Sequence, residues 1–521
     1  MTTKFTTGVA DGSVATQIAV SARLSVYQMF REQAHRQPDA LAVEMGPVQR
    51  SYGQLLDRVD RTATILRDKG VGQGDRIALI SQNRIEYIEM ILAAGRIGAI
   101  VACQNWRLAV PELQYCVGLV SPALVVASER FESLVADLEL GAVPTLWFDG
   151  AYDGLVQSVS PDTQETDVDP EDGLVLIYTS GTTGLPKGAL ISHRAEIIRM
   201  MNLRLDLGVD PEDAYMAWAP MFHIGGTEHS LSALMMGGFV VVADGLDTDA
   251  IIDALEAHRL GWLLLVPSTI EPLLEALKER GPTIKGVKVV GCMADLVPKA
   301  VIEEISMALD AAFFNSFGAT ETGLPPLSGH LLPPGADLSN LGKRPSSLCS
   351  FRLLDPDGHE VAQGETGEAA MKGPTLFSGY WGAEDTNRND FRDGWFRMGD
   401  LFTQDDSGSY HFVGRAKYLI KSGGENIYPA EIERVLLADP RVGDAIVVRT
   451  PDDRWGEVPA AVIARNGDDF SISDVEDLCR DALAGYKRPK RIYFRDLESF
   501  PRSSSGKIMR EEVEKWVEKQ P

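Results

Sequence analysis

Ten consecutive residues, Thr179-Ser180-Gly181-Thr182-Thr183-Gly184-Leu185-Pro186-Lys187-Gly188, concentrate hydroxyls, glycines and one lysine. Glycine lets backbone N–H groups turn toward an anion, and Ser and Thr hydroxyls add donors to the same concavity. A lysine adds a point charge suited to phosphate. The types and spacing therefore describe a polyphosphate cradle. It is not a Walker A loop, which needs Gly-Lys-Ser/Thr after its spacer, whereas Pro186 precedes Lys187 here.

The cradle needs a rigid mount. The apolar run Gly173-Leu174-Val175-Leu176-Ile177-Tyr178, bounded by turn residues, predicts a buried strand leading into it. Further strands are expected at Arg76 to Ile80, Ala123 to Ala127, Phe239 to Ala243, Trp262 to Val266 and Val287 to Gly291. Helices are expected at Ser51 to Lys69, Arg84 to Arg96 and Thr248 to His258. This alternation predicts α/β architecture with parallel sheets. From about Phe351, Gly- and Asp-rich turns such as Asp355-Pro356-Asp357-Gly358 space successive strands, as in a small β-rich subdomain. After Gly414 an α+β pattern follows: a helix from about Pro429 to Ala438, strands at Val442 to Arg449 and Ala460 to Ala464, and a helix at Ser473 to Leu483.

Composition narrows the class. The chain has 521 residues, is 44% hydrophobic and carries a formal net charge of −25. It is long enough for more than one domain, and its acidity disfavours nucleic acid as a partner. Five cysteines, Cys103, Cys116, Cys292, Cys349 and Cys479, are scattered without CxxC or Cys/His spacing, which reads as reduced thiols rather than a disulfide frame or zinc site. Met1 to Ala22 lacks a signal-peptide pattern, no run is long enough to span a bilayer, and the ending matches no peroxisomal signal. A cytoplasmic protein without a membrane span is the expectation.

The motif Tyr178 to Ala189 resembles the signature loop of the adenylate-forming superfamily: acyl-CoA synthetases, aryl-CoA ligases, luciferases and peptide-synthetase adenylation domains. The resemblance runs from about Ser51 to Arg510, with further motifs in order: Ala219-Pro220-Met221-Phe222-His223, Asn315 to Thr322, Gly394 to Asp400, Gly414-Arg415, Gly423 to Ile427 and Ser505-Gly506-Lys507. It implies a large N-terminal domain of stacked α/β sheet subdomains with a β-rich subdomain, residues 1–416. A small, mobile α+β C-terminal domain, residues 417–521, would follow. It also implies ATP, Mg²⁺ and coenzyme A as partners in making an acyl-adenylate and then a thioester; whether the chain forms a homodimer stays open.

The resemblance carries roles onto particular residues. Thr179 to Gly184 and Lys187 would hold the β- and γ-phosphates. Glu321 would be the Mg²⁺ ligand, and Thr320 would donate to the α-phosphate or the carboxylate. Asn315 would meet the adenine amine, Phe317 would stack on the ring, and Gly318 would lie beside it. Asp400 would take the ribose hydroxyls with help from Arg415. Lys507 would be the adenylation lysine, bridging the carboxylate and the nucleotide. Lys417 would be the hinge about which the small domain turns between half-reactions; Tyr418 follows it where many relatives carry an acidic residue. Gly423 and Gly424 would leave room for pantetheine, and Trp455 would stack on the CoA adenine. Lys487 belongs to Tyr486-Lys487-Arg488-Pro489-Lys490-Arg491, the densest basic cluster, which suits the CoA phosphates.

The acid itself would sit among Phe222, His229, Gly291, Cys292, Met293, Ala319 and Leu324, with His223 as an aromatic gate at the mouth. Gly291-Cys292-Met293 is bulkier than the Gly-Gly-Ala of many relatives, and Glu228 and His229 are polar for a pocket taking long alkyl chains. An aryl or medium-sized acyl acid is the expectation. An amino-acid substrate is disfavoured because no Asp follows the aromatic of the Phe222–His223 region. A carrier-protein acceptor or luciferase-like oxygenation remains the alternative to CoA.

Overall fold

A computed structural model describes residues 12–179, 185–293, 297–338, 341–422, 425–467, 469–502 and 508–520. The chain forms two compact units, each discontinuous in sequence: one comprises Met1–Met201, Ala217–Gly245 and Phe377–Gly382, the other Asn202–Met216, Leu246–Leu376 and Ala383–Pro521.

The first unit is built on a six-stranded sheet in the order Thr145–Trp147, Leu124–Ala127, Arg76–Ile80, Ile100–Cys103, Gly173–Thr179, Lys187–Ser192. Arg76–Ile80 and Ile100–Cys103 are almost wholly apolar and buried, as parallel strands covered on both faces must be. The last pair departs from the expected parallel pattern: Lys187–Ser192 runs antiparallel to Gly173–Thr179, with Thr179 opposite Lys187. These two strands are consecutive in sequence and direct neighbours in the sheet. Helix Tyr52–Asp68 starts where Ser51 and Gln54 form a reciprocal capping box, so both satisfy donors that a bare helix end would leave unmet.

The second unit contains parallel strands Leu260–Leu264, Val287–Cys292 and Ala312–Asn315, closed by the antiparallel Leu331–Leu332. The strand expected at Trp262 to Val266 begins and ends two residues earlier. Val266, extended as a residue before proline is, gives its N–H to Thr269 Oγ1 at 3.1 Å as the cap of helix Pro267–Arg280 rather than to a neighbouring strand. An antiparallel sheet of Ser350–Leu354, Gly367–Lys372, Phe391–Arg392, Trp395–Gln404 and Tyr410–Arg415 follows, the β-rich portion anticipated from its turns.

The terminal segment forms a sheet of Glu425–Ile427, Ile420–Ser422, Gly456–Arg465, Val442–Asp452 and Arg491–Phe494. Period-two alternation splits its apolar residues between two cores. Ala445, Val447, Ala461 and Ile463 face helices Pro429–Leu437 and Ile472–Ala482, while Ile446, Val448, Val462 and Ala464 face helix Arg510–Val517. No helix among the described residues is long and apolar enough to cross a membrane.

Candidate active site

In the first unit the antiparallel strand pairing sets Thr179 opposite Lys187. Lys187 Nζ lies 4.9 Å from the centroid of the Tyr380 ring, a cation–π contact that orients the ammonium. Ser180, Gly181, Thr182, Thr183 and Gly184 lie outside the described residues.

The Ala219–His223 segment is pinned by a residue that the motif reading passed over. Asn83, 3% exposed, accepts from Met221 N–H at 2.7 Å and donates to the Ala219 and Ala243 carbonyls, each at 2.9 Å. A single Asn after a strand carries no sequence signal for this. Gly226 permits the close return of helix Ile224–Met236, since a Cβ there would fall 2.6 Å from the Ala219 oxygen. His223 caps that helix by position, its ring 4.7 Å from that of Phe222, which in turn meets Trp106 edge-on at 5.8 Å.

Two further buried charged residues lie outside every motif. Glu196 and Arg199 lie one turn apart on helix His193–Asp206, at 0% and 1% exposure. Arg199 Nη1 donates to Glu228 Oε2 at 2.9 Å. His229 is buried alongside. Burial is the main influence holding its imidazole below the usual histidine range; Glu228 opposes that shift and Arg199 adds to it. Glu196 is pushed up to about 8, first by burial, then by Glu228, with Arg199 acting the other way. Glu228 holds the ion pair with Arg199, and burial beside that carboxylate pushes Glu196 toward its protonated form.

In the second unit Gly318-Ala319 and Gly323–Pro326 pair as a short antiparallel ribbon, and Thr320 and Glu321 occupy its turn. Glu321 is therefore not a helix-starting acid; it is presented on a tight bend. Gly318 is obligatory, because a Cβ would lie 2.0 Å from the Gly323 oxygen, and Gly291 likewise, at 2.2 Å from the Phe314 oxygen. Ala319 N–H donates to Thr322 Oγ1 at 2.9 Å, which closes the turn, and Leu324 is half-buried on the returning strand.

Asp400 and Arg415 face each other on adjacent antiparallel strands, and Arg415 Nε donates to Asp400 Oδ1 at 3.0 Å. The carboxylate is buried and the guanidinium half-exposed. Asp400 raises the Arg415 pKa most, burial opposes it, and Glu321 adds to the rise. Asp400, Arg415 and Glu321 thus form one electrostatic group. A single hard-oxygen ligand at Glu321, completed by phosphate oxygens and water, is a donor set that fits Mg²⁺.

Two neighbours are turned inward. Phe317 is 4% exposed and packs edge-on to Phe402 at 4.6 Å, so stacking on a ligand requires its ring to swing out of this cluster. Asn315 Nδ2 donates to the Leu341 carbonyl at 2.7 Å. Cys292 is buried at the end of its strand and Met293 packs against the Phe317 cluster.

In the terminal segment Lys417 Nζ donates to Glu511 Oε1 at 3.0 Å and lies 4.6 Å from the Tyr418 ring centroid. The Arg510 guanidinium covers that ring too, at 5.0 Å, so two cations flank the Tyr418 ring. Trp455 is 42% exposed, with Arg454 4.6 Å from its ring, the accessible aromatic face that a base-stacking role requires. Lys487 is committed to Glu431 at 2.7 Å. Gly423, Gly424 and Lys507 lie outside the described residues.

The chain matches the AMP-binding enzyme profile over residues 30–381 and the AMP-binding enzyme C-terminal domain over 431–507. It is 33% identical over 496 residues to the indoleacetate–CoA ligase of Aromatoleum aromaticum, covering 92% of this chain and 96% of that protein. It is 33% identical over 485 residues to the feruloyl-CoA synthase of an Amycolatopsis species, with the same coverage of 92% and 96%. The o-succinylbenzoate CoA synthetase of Bacillus subtilis, solved with an acyl-adenylate intermediate, superposes with a TM-score of 0.83 at 26% identity, covering 94% of this chain and 98% of that one. With a profile match across most of its length and motifs in matching order, the chain belongs to the family of AMP-binding enzymes.

Proposed function

We propose that the protein is an AMP-forming carboxylic acid–CoA ligase acting on an aryl or medium-sized acyl acid. The observation that carries this reading is the Asp400–Arg415 pair with Glu321 beside it, in a chain that belongs to this family. A buried carboxylate steadied by one guanidinium suits a ribose diol, and an adjoining carboxylate on a rigid turn suits a metal-bound phosphate.

In the first half-reaction a carboxylate oxygen attacks the α-phosphorus of ATP, and the bond to pyrophosphate breaks with its electron pair. Both reactants are anions, so the residues must neutralise charge. Lys187 steadies the departing pyrophosphate, and Thr320 and Lys507 bind the oxygens around the α-phosphorus. Mg²⁺ held by Glu321 would screen the phosphate charge. In the second half-reaction the CoA thiolate attacks the acyl carbonyl and the bond to AMP breaks. We assign residues 417–521 as a domain turning about Lys417 between these steps, with Gly423, Gly424, Trp455 and Lys487 serving CoA. ATP, Mg²⁺ and CoA as co-reactants, and a cytoplasmic setting, follow from the same reading.

The test is acid-dependent exchange of labelled pyrophosphate into ATP across an acid panel. Exchange that requires an acid and no CoA supports the reading; exchange with no acid in the panel, or exchange indifferent to acid, counts against it.

A further inference from the structure

Glu196 is fully buried, and neither of its carboxyl oxygens has a hydrogen-bond partner among the described residues. Its neighbours on the same helix, Ala195 and Ile197, are what a core-facing position ordinarily holds. The charge it meets is already committed, because Arg199 is paired to Glu228 at 2.9 Å. A neutral carboxyl offers one O–H donor and one carbonyl acceptor. Burying both without partners is costly, so a sequence that keeps them there implies something that meets them.

Glu228, the partner in this cluster, and His229 lie in the second turn of helix Ile224–Met236, which opens at Phe222–His223, the segment assigned to the acid pocket. Resting on the ligase reading, we infer that Glu196, with Glu228 and His229 beside it, reads a hydroxyl at the far end of the acid, so that the substrates are hydroxylated aryl or acyl acids. A hydroxyl is at once donor and acceptor and satisfies both functions of the carboxyl. A second carboxylate would bring only acceptors and a further negative charge beside Glu228. An ammonium would bring only donors and leave the carboxyl O–H unmet. An unsubstituted ring or chain would leave both unmet.

The experiment compares kcat/KM for AMP formation within matched pairs: para-hydroxyphenylacetate and phenylacetate, para-hydroxycinnamate and cinnamate, ω-hydroxyoctanoate and octanoate. In at least one pair the wild type is expected to favour the hydroxylated acid by about tenfold or more, since a site built to hydrogen-bond a hydroxyl discriminates strongly against its absence. Glu196→Gln, which keeps a donor group and an acceptor oxygen, should retain that preference. Glu196→Leu should lose it to within about twofold through slower turnover of the hydroxylated member. Equal kcat/KM within every pair, measured on the wild type alone, overturns the inference, as does a preference that survives in Glu196→Leu. AMP formed from the deoxy acids in that case leaves the ligase reading standing; AMP formed from no acid refutes that reading and this inference with it.

Discussion

Replacing Asp400 by Asn keeps the shape of the side chain and removes its charge. The carboxylate is buried, and the half-exposed Arg415 donates Nε to it at 3.0 Å. A pair of that exposure contributes about 1 kcal/mol or less to stability, so the variant should fold with a stability within about 1 kcal/mol of wild type. Binding is affected far more. Two ribose hydroxyls donating to one carboxylate are charge-assisted contacts of about 1.5–3 kcal/mol each, and the carboxamide retains one acceptor oxygen. The expected loss is therefore about 2–4 kcal/mol, or roughly 30- to 700-fold in kcat/KM for ATP. Steady-state kinetics with ATP varied at saturating acid, alongside chemical denaturation, read both quantities. A kcat/KM for ATP within about threefold of wild type in a folded variant would refute the ribose assignment, and a loss confined to kcat at unchanged KM would place Asp400 in the chemistry instead.

Other outcomes follow from the same geometry. Lys507→Ala should abolish adenylation while thioester formation from supplied acyl-adenylate survives; equal loss of both half-reactions would refute the two-conformation assignment. Trp455→Ala should raise the KM for CoA about tenfold and leave that for ATP unchanged, since base–aromatic stacking is worth about 1–3 kcal/mol; an unchanged CoA dependence would remove Trp455 from the site. His193 is fully buried, its Nδ1 accepts from Val26 N–H at 3.2 Å, and burial pushes its pKa down to about 4. A depressed folded-state pKa means that its contribution is complete above about pH 6.5 and lost as pH falls toward about 4. Wild type should therefore lose about 2–3 kcal/mol more than His193→Gln between about pH 7 and pH 4, by urea denaturation; parallel losses would contradict this.

Much of the fold was legible because local patterns carried it. Arg76–Ile80 is a short apolar run that behaves as a covered strand, and the Ser51/Gln54 pair marks a helix start in four residues. The antiparallel return of Lys187–Ser192 was not legible, since an apolar run states burial and not direction. Site residues within dense motifs, such as Asp400 and Arg415, came into register as neighbours because their strands pair in the order that the turns dictate. Residues acting from outside the motifs were invisible. Asn83 exerts its hold through carbonyls more than 130 positions away, and Glu196 reads as an ordinary polar helix residue until Arg199 is seen spent on Glu228. The inward turn of Phe317 is a packing outcome set by Phe402, 85 residues distant, and no local spacing encodes it.

The most direct measurement is a product assignment. Purified protein is incubated with ATP, Mg²⁺, CoA and each acid of a panel, and products are read by mass spectrometry. The account predicts AMP, pyrophosphate and an acyl-CoA in equal amounts with at least one aryl or medium-sized acyl acid. ADP in place of AMP, or AMP without a thioester from any acid, would contradict it.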